Sequence, residues 1–368
     1  MFILAHNGSR ILGGGEIGTA LLLAGMRRRG HRVMMLCRDE GIARRVGQYG
    51  ISAGVQPIGG DVMLHDAARF TARLRREKPD AVILTTFKKV FLAGLGARMA
   101  GVSFIVQRIV LQSDTPDRGA QYRLALRRFV DVVTLNADAM RPAFLAGDPL
   151  LDPSKVITIL DGVQTPARVS APGAMRQELG IPADAFVIGS VARLARQKRF
   201  DRMLRVIVRI PQRIHCIIAG EGEEMESIRA VAVTLGISDR VHLTGFRDDI
   251  GDVLGAMNLF VVSSDREGLA NAMLEAMALG LPVVSTDVSG AREALDSTAA
   301  NPRAGIVTGF DEAELAEAIA TFIHDPDALH AMGAAAQARA EQDFGFERFL
   351  DEWERLLVEG VSSARVRK

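Results

Sequence analysis

Two glutamates in the second half of the chain stand where their carboxylates could bind hydroxyl groups of a ligand. Glu267 falls in a polar loop after an apolar run, and Glu275 falls within the helix predicted to begin near Ala270 or Asn271. Carboxylates accept hydrogen bonds from the vicinal hydroxyls of ribose or a hexose. A helix that begins at the carboxyl end of a strand presents free N–H groups to a phosphate, and Gly268 allows close backbone approach. The alternative is one helix-capping acid and one solvated acid.

A pair of cations follows the first apolar run of the second half. Arg193 and Lys198 lie in the predicted loop between a buried strand ending at Ala192 and an amphipathic helix. An arginine can clamp phosphate oxygens in a bidentate fork, and a lysine adds a point charge. Since no motif of the chain has metal-ligand spacing, these fixed cations would have to neutralise a leaving diphosphate. The alternative is an exposed basic loop.

A run of glycines near the N-terminus offers a further phosphate site. Residues 13–18 match G-x-G-x-x-G, and Asp39 follows the next strand, which together form the dinucleotide fingerprint of nicotinamide enzymes. That fingerprint needs the first glycine directly after the strand, whereas residues 6–12 intervene here, and this disfavours an NAD site. Gly14 and Gly15 would instead let backbone N–H groups approach an anion at a helix start. A tight strand-to-helix connection without a ligand is the remaining alternative.

The composition is that of a folded chain with balanced charge. Its 368 residues suffice for two domains, and it is 48% hydrophobic and 24% charged. The net charge of +1 gives no reason to expect nucleic acid as a partner. Basic clusters in the first half fit solvated helix faces or a patch that faces anionic phospholipid. They stand at residues 27–29, 44–45, 73–78 and 127–128.

The cysteines and the apolar runs indicate the cellular compartment of the protein. Cys37 and Cys216 each stand in an apolar run, which predicts buried thiols in a reducing environment. The N-terminal residues turn polar too soon for a signal peptide, and no apolar run reaches transmembrane length. We therefore expect a cytoplasmic protein, with peripheral contact at the inner face of a membrane as an option.

Short apolar runs alternate with amphipathic stretches along the whole chain, which predicts an α/β fold with parallel sheets. A break at residues 161–173, rich in Gly and Pro, separates two series of strands. We predict two Rossmann-like, doubly wound domains facing a cleft, with ligands at the carboxyl ends of the strands. The predicted strands are 2–5, 32–37, 81–85, 104–107, 132–135, 155–159, 186–192, 215–219, 241–243, 259–262, 282–285 and 305–307. The predicted helices include 17–29, 64–77, 315–323 and 346–357.

Several motifs of the chain stand in a fixed order. The segment E-G-L-x-N-x-x-L-E-A-M-A-x-G-x-P-V-V begins at Glu267, and G-S-V-A-R-L-x-x-Q-K-x-x-D begins upstream at Gly189. With segments 157–163, 218–222 and 241–246 and the glycine loop, they resemble the GT-B glycosyltransferases of family 4. The likeness covers almost the whole chain. It implies an acceptor domain of residues 1–165, onto which a helix of about residues 346–368 packs back, and a donor domain of residues 166–345.

The resemblance implies a metal-independent enzyme that transfers a sugar with retention of its anomeric configuration. In that family the positions that match Arg193 and Lys198 hold the donor diphosphate. The position of Glu267 contacts hydroxyls of the transferred sugar, and the position of Glu275 binds the ribose. The first three of these are the expected catalytic residues. The further expected donor-binding residues are Gly14, Gly15, Gly222, Phe246, Arg247, Gly268 and Leu269.

The chain departs from the family's pattern at one position. Many relatives carry a histidine just after the strand that matches residues 81–85, facing the sugar, and this chain has none there. Lys88 or Thr86 would occupy that space. His6, just after the first predicted strand, and Arg108, at the end of another, are further candidate cleft residues. Each of these could equally have a purely structural role, because loop residues beside a cleft need not contact a ligand.

These observations predict a retaining glycosyltransferase. We expect it to move a hexose-type sugar from a nucleotide-diphosphate donor, with a UDP-sugar first, to an acceptor hydroxyl in lipopolysaccharide or other envelope glycan synthesis. The expected acceptor is lipid-linked or a saccharide, and no cofactor is expected. The alternatives are a nucleotide-sugar epimerase or hydrolase on the same fold, or a non-catalytic scaffold.

Overall fold

The computed structural model describes residues 1–10, 13–59, 63–171, 173–211, 213–298 and 301–366. Unit 1 comprises Met1–Asp161 and Glu347–Lys368, and unit 2 comprises Gly162–Phe346. The chain therefore leaves unit 1 a few residues before the predicted boundary at 165. Residues 11–12 of the stretch before the glycine loop, Pro172 of the predicted break and the last two residues of the predicted C-terminal helix lie outside the described residues.

Unit 1 alternates strands and helices from the start of the chain. Its first thirteen elements are β1 (Phe2–Asn7), α1 (Gly14–Arg28), β2 (Arg32–Cys37), α2 (Glu40–Gly47), β3 (Ser52–Val55), α3 (Leu64–Glu77), β4 (Ala81–Leu84), α4 (Val90–Met99), β5 (Phe104–Ile109), α5 (Ala120–Arg128), β6 (Val132–Leu135), α6 (Arg141–Ala146) and β7 (Val156–Thr158). The strands form one sheet in the order β3-β2-β1-β4-β5-β6-β7, and the paired strands are parallel. Every residue of β1 and β5 is buried, as expected when helices cover both faces of a parallel sheet.

Two features of unit 1 differ from the sequence prediction. The edge strand β3 is missing from the predicted strands, because Ser-Ala-Gly-Val is short and lacks the bulky β-branched run that marks a buried strand. Helix α1 begins at Gly14, whereas the apolar periodicity predicted a start at residue 17. The first turn is apolar only at its end, and Glu16 caps it by accepting a hydrogen bond from the Gly13 amide at 3.0 Å.

The last described helix, α15 (Phe346–Val366), returns to unit 1 from residue 347 onwards. Trp353 is 1% exposed, and an added Cβ at Gly25 of α1 would lie 2.5 Å from Leu350 of α15, so the two helices pack with no room for a side chain there. Beside this contact, the Arg29 guanidinium donates to carboxylates of Glu347 and Glu354 at 2.7 and 2.8 Å. Helix α15 is therefore an integral layer of unit 1.

Unit 2 repeats the same alternation. Its elements are α7 (Ala174–Glu178), β8 (Phe186–Val191), α8 (Phe200–Arg209), β9 (Ile214–Ala219), α9 (Met225–Thr234), β10 (Val241–Gly245), α10 (Ile250–Gly255), β11 (Leu259–Val262), α11 (Asn271–Ala278), β12 (Val283–Thr286), α12 (Ala291–Leu295), β13 (Gly305–Thr308), α13 (Glu312–His324) and α14 (Pro326–Asp343). The sheet has the order β10-β9-β8-β11-β12-β13 and its paired strands are parallel. Each unit is thus a doubly wound α/β sheet, as predicted.

The order of strands changes direction at one point in each sheet. In unit 1 this switch point lies between β1 and β4, and in unit 2 it lies between β8 and β11. Loops that leave neighbouring strands on either side of a switch point diverge and leave a crevice at the carboxyl edge of the sheet, where ligands bind. No helix within the described ranges is both long and apolar enough to cross a bilayer.

Candidate functional site

The switch point of unit 2 brings together the two charged loops that the sequence singled out. The loop after β8 carries Arg193 and Lys198, and the loop after β11 carries Glu267. The predicted helix near residue 271 is present as α11, which begins at Asn271. The residues that the motifs predicted therefore lie on the edge of the sheet where a ligand is expected.

Lys198 and Glu267 form the centre of this edge. The Lys198 Nζ lies 2.5 Å from the Glu267 Oε1, and the Ser264 hydroxyl donates to the same oxygen at 2.7 Å. Glu267 is 8% exposed and the lysine side chain is 20% exposed, so the pair is largely shielded from solvent. Ser264 is fixed in turn, because the Thr286 hydroxyl at the end of β12 donates to its carbonyl at 2.7 Å. Three neighbouring strands thus position one carboxylate.

Arg193 lies at the start of the same loop, two residues after the end of β8. Its Nη1 is 3.3 Å from a carboxylate oxygen of Glu223, and the arginine and glutamate side chains are 35% and 58% exposed. Backbone bonds tie the two loops together, since the Leu194 amide donates to the Glu221 carbonyl at 2.8 Å. An added Cβ at Gly222 would lie 2.3 Å from the Leu194 carbonyl oxygen, so only glycine allows this approach. Gly222 therefore shapes the loop that faces Arg193.

Glu275 lies in α11, behind the start of that helix. It is partly buried, and no donor among the described residues forms a hydrogen bond with its carboxyl. Burial raises the pKa of this carboxyl to about 7. A half-buried carboxyl without a donor is costly unless a ligand supplies hydroxyl groups to it, so Glu275 has the environment of a ligand-binding acid.

The remaining predicted donor residues differ in their surroundings. Leu269 is buried, and the Gly268 carbonyl accepts a hydrogen bond from the Gly290 amide at 2.9 Å. Phe246 is 51% exposed just after β10. The Arg247 guanidinium is held by Glu178 at 2.6 Å and by Asp249 at 2.7 Å, and these hydrogen bonds raise its pKa. The Arg247 side chain is therefore paired with neighbouring acids, which leaves its backbone for the predicted contact with the donor.

In unit 1, Arg108 differs from the cleft residue that the sequence suggested. It lies within β5, is 3% exposed and donates to the Asp161 carboxylate at 2.5 Å. Its other terminal nitrogen donates to the Gly15 carbonyl at 2.9 Å and the Thr19 hydroxyl at 2.8 Å. A buried guanidinium must be paired and hydrogen-bonded in this way. Arg108 therefore joins β5, α1 and the end of the first segment of unit 1.

His6 also lies within a strand, whereas the prediction placed it just after one. It is the fifth residue of β1, is 1% exposed, and its Nε2 is 3.1 Å from the Gln56 carbonyl oxygen. The ring packs against Phe70 with the centroids 5.0 Å apart. Burial lowers its pKa to about 4, so the imidazole is neutral at physiological pH. These are the surroundings of a core histidine.

The loops at the switch point of unit 1 carry the other candidates. Lys88 is exposed in the turn after β4, and Thr86 precedes it. The Thr86 hydroxyl accepts from the Gly8 amide at 2.9 Å and donates to the Asn7 side chain at 3.3 Å. An added Cβ at Gly15 would lie 2.7 Å from the Val110 side chain, so this glycine packs closely against another part of unit 1. Gly14 is the first residue of α1.

Several residues of the unit 2 site were absent from the sequence prediction. They are Glu223, which pairs with Arg193, Ser264, which donates to Glu267, and the residues Arg199 and Asp265 beneath them. Ser264 and Asp265 lie two and three residues after the end of the apolar strand β11, and polar residues at that place are a recognisable signal. No group of three or more His, Cys, Asp or Glu that could hold a metal ion occurs in the part of the chain that the structure describes.

Comparison with protein families gives two consecutive matches. The model described as "Glycosyl transferase 4-like domain" matches residues 13–159, and the model described as "Glycosyl transferases group 1" matches residues 173–339. The first match lies in unit 1 and the second in unit 2. Together they take in most of the chain.

Curated relatives match parts of the chain. The lipopolysaccharide core biosynthesis glycosyltransferase LpsE of Rhizobium meliloti is 39% identical over 31% of this chain and 34% of its own length. A D-inositol 3-phosphate glycosyltransferase of Corynebacterium jeikeium is 33% identical over 48% of this chain and 44% of its own length. The chain thus spans less than half the length of each of these two relatives.

Solved structures match the whole chain at lower identity. The Anabaena protein Alr3699/HepE, in complex with UDP-glucose, has a TM-score of 0.84 and 24% identity, over 99% of this chain and 100% of that one. The sucrose-phosphate synthase of Thermosynechococcus elongatus has a TM-score of 0.80 and 17% identity, over 99% and 100%. At these identities the likeness is one of fold. With both family matches in consecutive order on that fold, the chain belongs to the GT-B glycosyltransferases of the family 4 type.

Proposed function

We propose that this protein is a retaining glycosyltransferase that moves a hexose from a UDP-sugar to a hydroxyl of a lipid-linked or saccharide acceptor in envelope glycan synthesis. The observation that carries the proposal is the Lys198–Glu267 pair at the switch point of unit 2, with a nitrogen–oxygen distance of 2.5 Å. A paired cation and carboxylate at this edge of a doubly wound sheet suit a ligand that bears both phosphates and hydroxyls.

The two cations would hold the diphosphate. In this structure Arg193 faces Glu223 and Lys198 faces Glu267, so each positive charge has a carboxylate as its partner. A diphosphate carries more charge and more acceptor oxygens than a carboxylate, and it would take these partners' place. Fixed cations also stabilise the negative charge that grows on a departing UDP, so the reaction would need no metal ion. The solved complexes of the Anabaena protein with UDP and with UDP-glucose support UDP as the nucleotide.

The two glutamates would hold hydroxyl groups. Glu267, released from Lys198 when the diphosphate binds, would accept hydrogen bonds from the hexose. Glu275, which lacks a donor among the described residues, would accept from the ribose. Both carboxylates stand on or beside α11, and its amino end favours a phosphate near Gly268. One helix would thus align three parts of the donor.

The reaction would proceed on a single face of the sugar. The bond from C1 to the diphosphate oxygen breaks, and a bond from C1 to the acceptor oxygen forms on the same side, so the anomeric configuration is retained. The acceptor's proton passes to the departing phosphate oxygen. The protein contributes positioning and electrostatic stabilisation of an oxocarbenium-like transition state.

The acceptor is proposed from the relatives. They include lipopolysaccharide core glycosyltransferases of Rhizobium meliloti and a galactosyltransferase of Escherichia coli whose name gives GlcNAc-diphosphoundecaprenol as its substrate. We propose a cytoplasmic or peripheral location, because the basic clusters of unit 1 suit the surface of an anionic membrane. The same relatives also include transferases to inositol phosphate, so a small soluble acceptor belongs in the test.

The test is a donor screen with matched variants. Purified protein is incubated with UDP-, GDP- and ADP-sugars, with and without lipid-linked and soluble acceptors, in buffer containing EDTA. We expect UDP binding and acceptor-dependent release of UDP, with the product anomer assigned by NMR, and a large fall in both, with residual turnover, in Lys198→Ala. The control is Arg213→Ala, which removes an exposed ion pair with Asp239 near the amino ends of β9 and β10.

Each of the other outcomes would contradict a particular part of the proposal. Consumption of donor without any acceptor would favour a hydrolase or epimerase. Absence of nucleotide binding and of turnover across the whole donor panel would overturn the enzyme proposal and favour a scaffold. Inversion of the anomer, or activity that EDTA abolishes, would overturn the retaining, metal-independent reaction while leaving the transferase in place.

A further inference from the structure

A second set of contacts lies beneath the Lys198–Glu267 pair and joins the two loops that carry these residues. The Asp265 amide donates to the Gln197 carbonyl at 2.8 Å, and the Ser263 hydroxyl donates to the Lys198 carbonyl at 2.9 Å. The backbone on both sides of Lys198 is therefore tied to the residues just before Glu267. This tie sets the separation of the two loops.

The turn that carries Lys198 ends in a backbone conformation that favours glycine. Arg199 has φ 51° and ψ 45°, the left-handed region that side chains with a Cβ rarely adopt. Such a conformation persists only where the surroundings hold it. Here Arg199 donates to both carboxylate oxygens of Asp201, at 3.0 and 3.1 Å, and to both of Asp265, at 3.2 Å. These hydrogen bonds raise the pKa of the guanidinium.

Asp265 is the point at which these contacts meet. Its carboxylate accepts from Arg202 at 2.7 Å as well as from Arg199, and the Arg202 guanidinium donates to the Ser263 carbonyl at 2.7 Å. Arg202 is 5% exposed in α8, so it is a fixed support. One carboxylate on the loop after β11 thus holds both the turn after β8 and the helix that follows it.

We infer that Asp265 is a positioning residue for Lys198. It holds Arg199 in the left-handed conformation, and that conformation aims the Lys198 ammonium at the place where the donor diphosphate binds. The inference rests on the proposed function, because Lys198 matters only if a phosphate binds there. In this role Asp265 acts through Arg199 and not by contact with the donor. Its effect passes through the backbone at 199.

A purely structural role of Asp265 would predict that activity falls only as far as stability falls. The Asp265 side chain is 40% exposed, and in Asp265→Asn the amide oxygen can still accept a hydrogen bond from Arg202, whose side chain is 6% exposed. Its loss should therefore change the melting temperature only slightly. A displaced catalytic group, in contrast, costs a large factor in rate even when the shift is about 1 Å. A fall in activity without a matching fall in stability is what positioning requires.

The first experiment is a double-mutant cycle between Asp265→Asn and Lys198→Ala, with kcat/KM for the UDP-sugar as the measurement. Asp265→Asn keeps the backbone amide and the size of the side chain while removing the charge. We expect it to lower kcat/KM about tenfold alone and to have no further effect when Lys198→Ala is already present, because coupled residues are not additive. Asp239→Asn, which alters an exposed ion pair of the same unit, is the control and should leave kcat/KM unchanged.

The second experiment is a rescue. Glycine adopts a positive φ without strain, so Arg199→Gly should make Asp265 dispensable. We expect the double variant Asp265→Asn, Arg199→Gly to recover to within about threefold of the unaltered protein, and Arg199→Ala to lose activity as Asp265→Asn does. A double variant no better than Asp265→Asn alone, or equal losses in both Lys198 backgrounds, would overturn the inference. If Lys198→Ala itself leaves donor binding and turnover intact, the proposed function fails first and takes the inference with it.

Discussion

The two sheets use charged side chains near the carboxyl ends of their strands in opposite ways. In unit 1, Arg108 lies within β5, is almost fully buried, and its partners are a buried carboxylate, a carbonyl and a hydroxyl of the same unit. In unit 2, Arg193 and Lys198 lie in loops, and their partners are the carboxylates of Glu223 and Glu267. We interpret a charge that is buried among hydrogen-bond partners of its own unit as part of the scaffold, and a charge on a loop that pairs with an acid as a candidate for ligand binding. The number and kind of partners separate the two roles.

The largest effect should come from breaking the buried pair of unit 1. Arg108→Ala leaves Asp161 as an uncompensated buried charge, and we expect a loss of about 3–5 kcal/mol in the free energy of unfolding. Urea denaturation measures this loss. Arg365→Ala, which removes an exposed partner of Asp80, should cost less than about 1 kcal/mol. If Arg108→Ala instead weakens UDP binding and leaves stability intact, unit 1 holds a ligand there and the contrast between the units fails.

The second-largest effect should be a fall in turnover when Glu267 of unit 2 is changed. Glu267→Gln keeps the shape of the side chain but removes the charge that faces Lys198 and the hexose. We expect kcat to fall about 10²–10³-fold, the range found when one group that stabilises a transition state is removed. Steady-state assays with the preferred UDP-sugar measure it, and a melting curve confirms that the variant is folded. A fall of less than threefold would remove Glu267 from the catalytic residues.

Glu275 should give unit 2 a pH-dependent stability. Its pKa of about 7 lies above the ordinary 4.5, so the folded protein binds this proton more tightly than the unfolded chain does. The resulting stabilisation is complete below pH 4.5 and is lost as the pH rises through about 7. Glu275→Gln lacks this titration, so its stability relative to the unaltered protein should rise between pH 5 and 8, by up to about 3 kcal/mol. Urea unfolding across that range tests it, and parallel curves would contradict it.

The smallest expected effect is a gain in affinity for UDP. Glu223 competes with a phosphate for Arg193 in an exposed ion pair, so Glu223→Gln should tighten UDP binding about two- to fivefold at low salt. Isothermal titration calorimetry measures the change, and added salt should reduce it. Glu226→Gln, an exposed acid in the first turn of α9, is the matched control. Weaker binding in Glu223→Gln would mean that Glu223 helps to hold the donor.

The sequence predicted the helices and strands whose hydrophobic residues recur with a strong local periodicity. Buried strands such as β5 and long amphipathic helices such as α3 have strong patterns, and both were found at or near the predicted places. The edge strand β3 was missed because its four small residues, half of them exposed, carry no such pattern. The start of α1 was missed because its first turn holds glycines, whose role depends on the capping glutamate.

The candidate site likewise contains residues that local motifs predict and partners that they do not. Arg193, Lys198, Glu267 and Glu275 stand in motifs whose order can be read along the chain, and their roles remain predictions for the experiments above. The partners that fix them join residues far apart in sequence, such as Lys198 with Glu267 and Arg108 with Asp161. Those pairings depend on the register of whole strands, so no local pattern could predict them. His6 and Arg108 were proposed as cleft residues for the same reason, since their burial depends on distant elements.

The return of α15 to unit 1 has a consequence for the order in which the protein is made. On the ribosome, residues 162–346 emerge before residues 347–366, so unit 2 can complete its core while unit 1 still lacks Trp353 and Leu350. Until then the apolar side of α1 around Gly25 has no cover, and a nascent chain with such a surface is prone to aggregate. The first unit to be synthesised is therefore the last to be finished, and a chain that stalls before residue 347 leaves the ribosome with one complete unit and one open one.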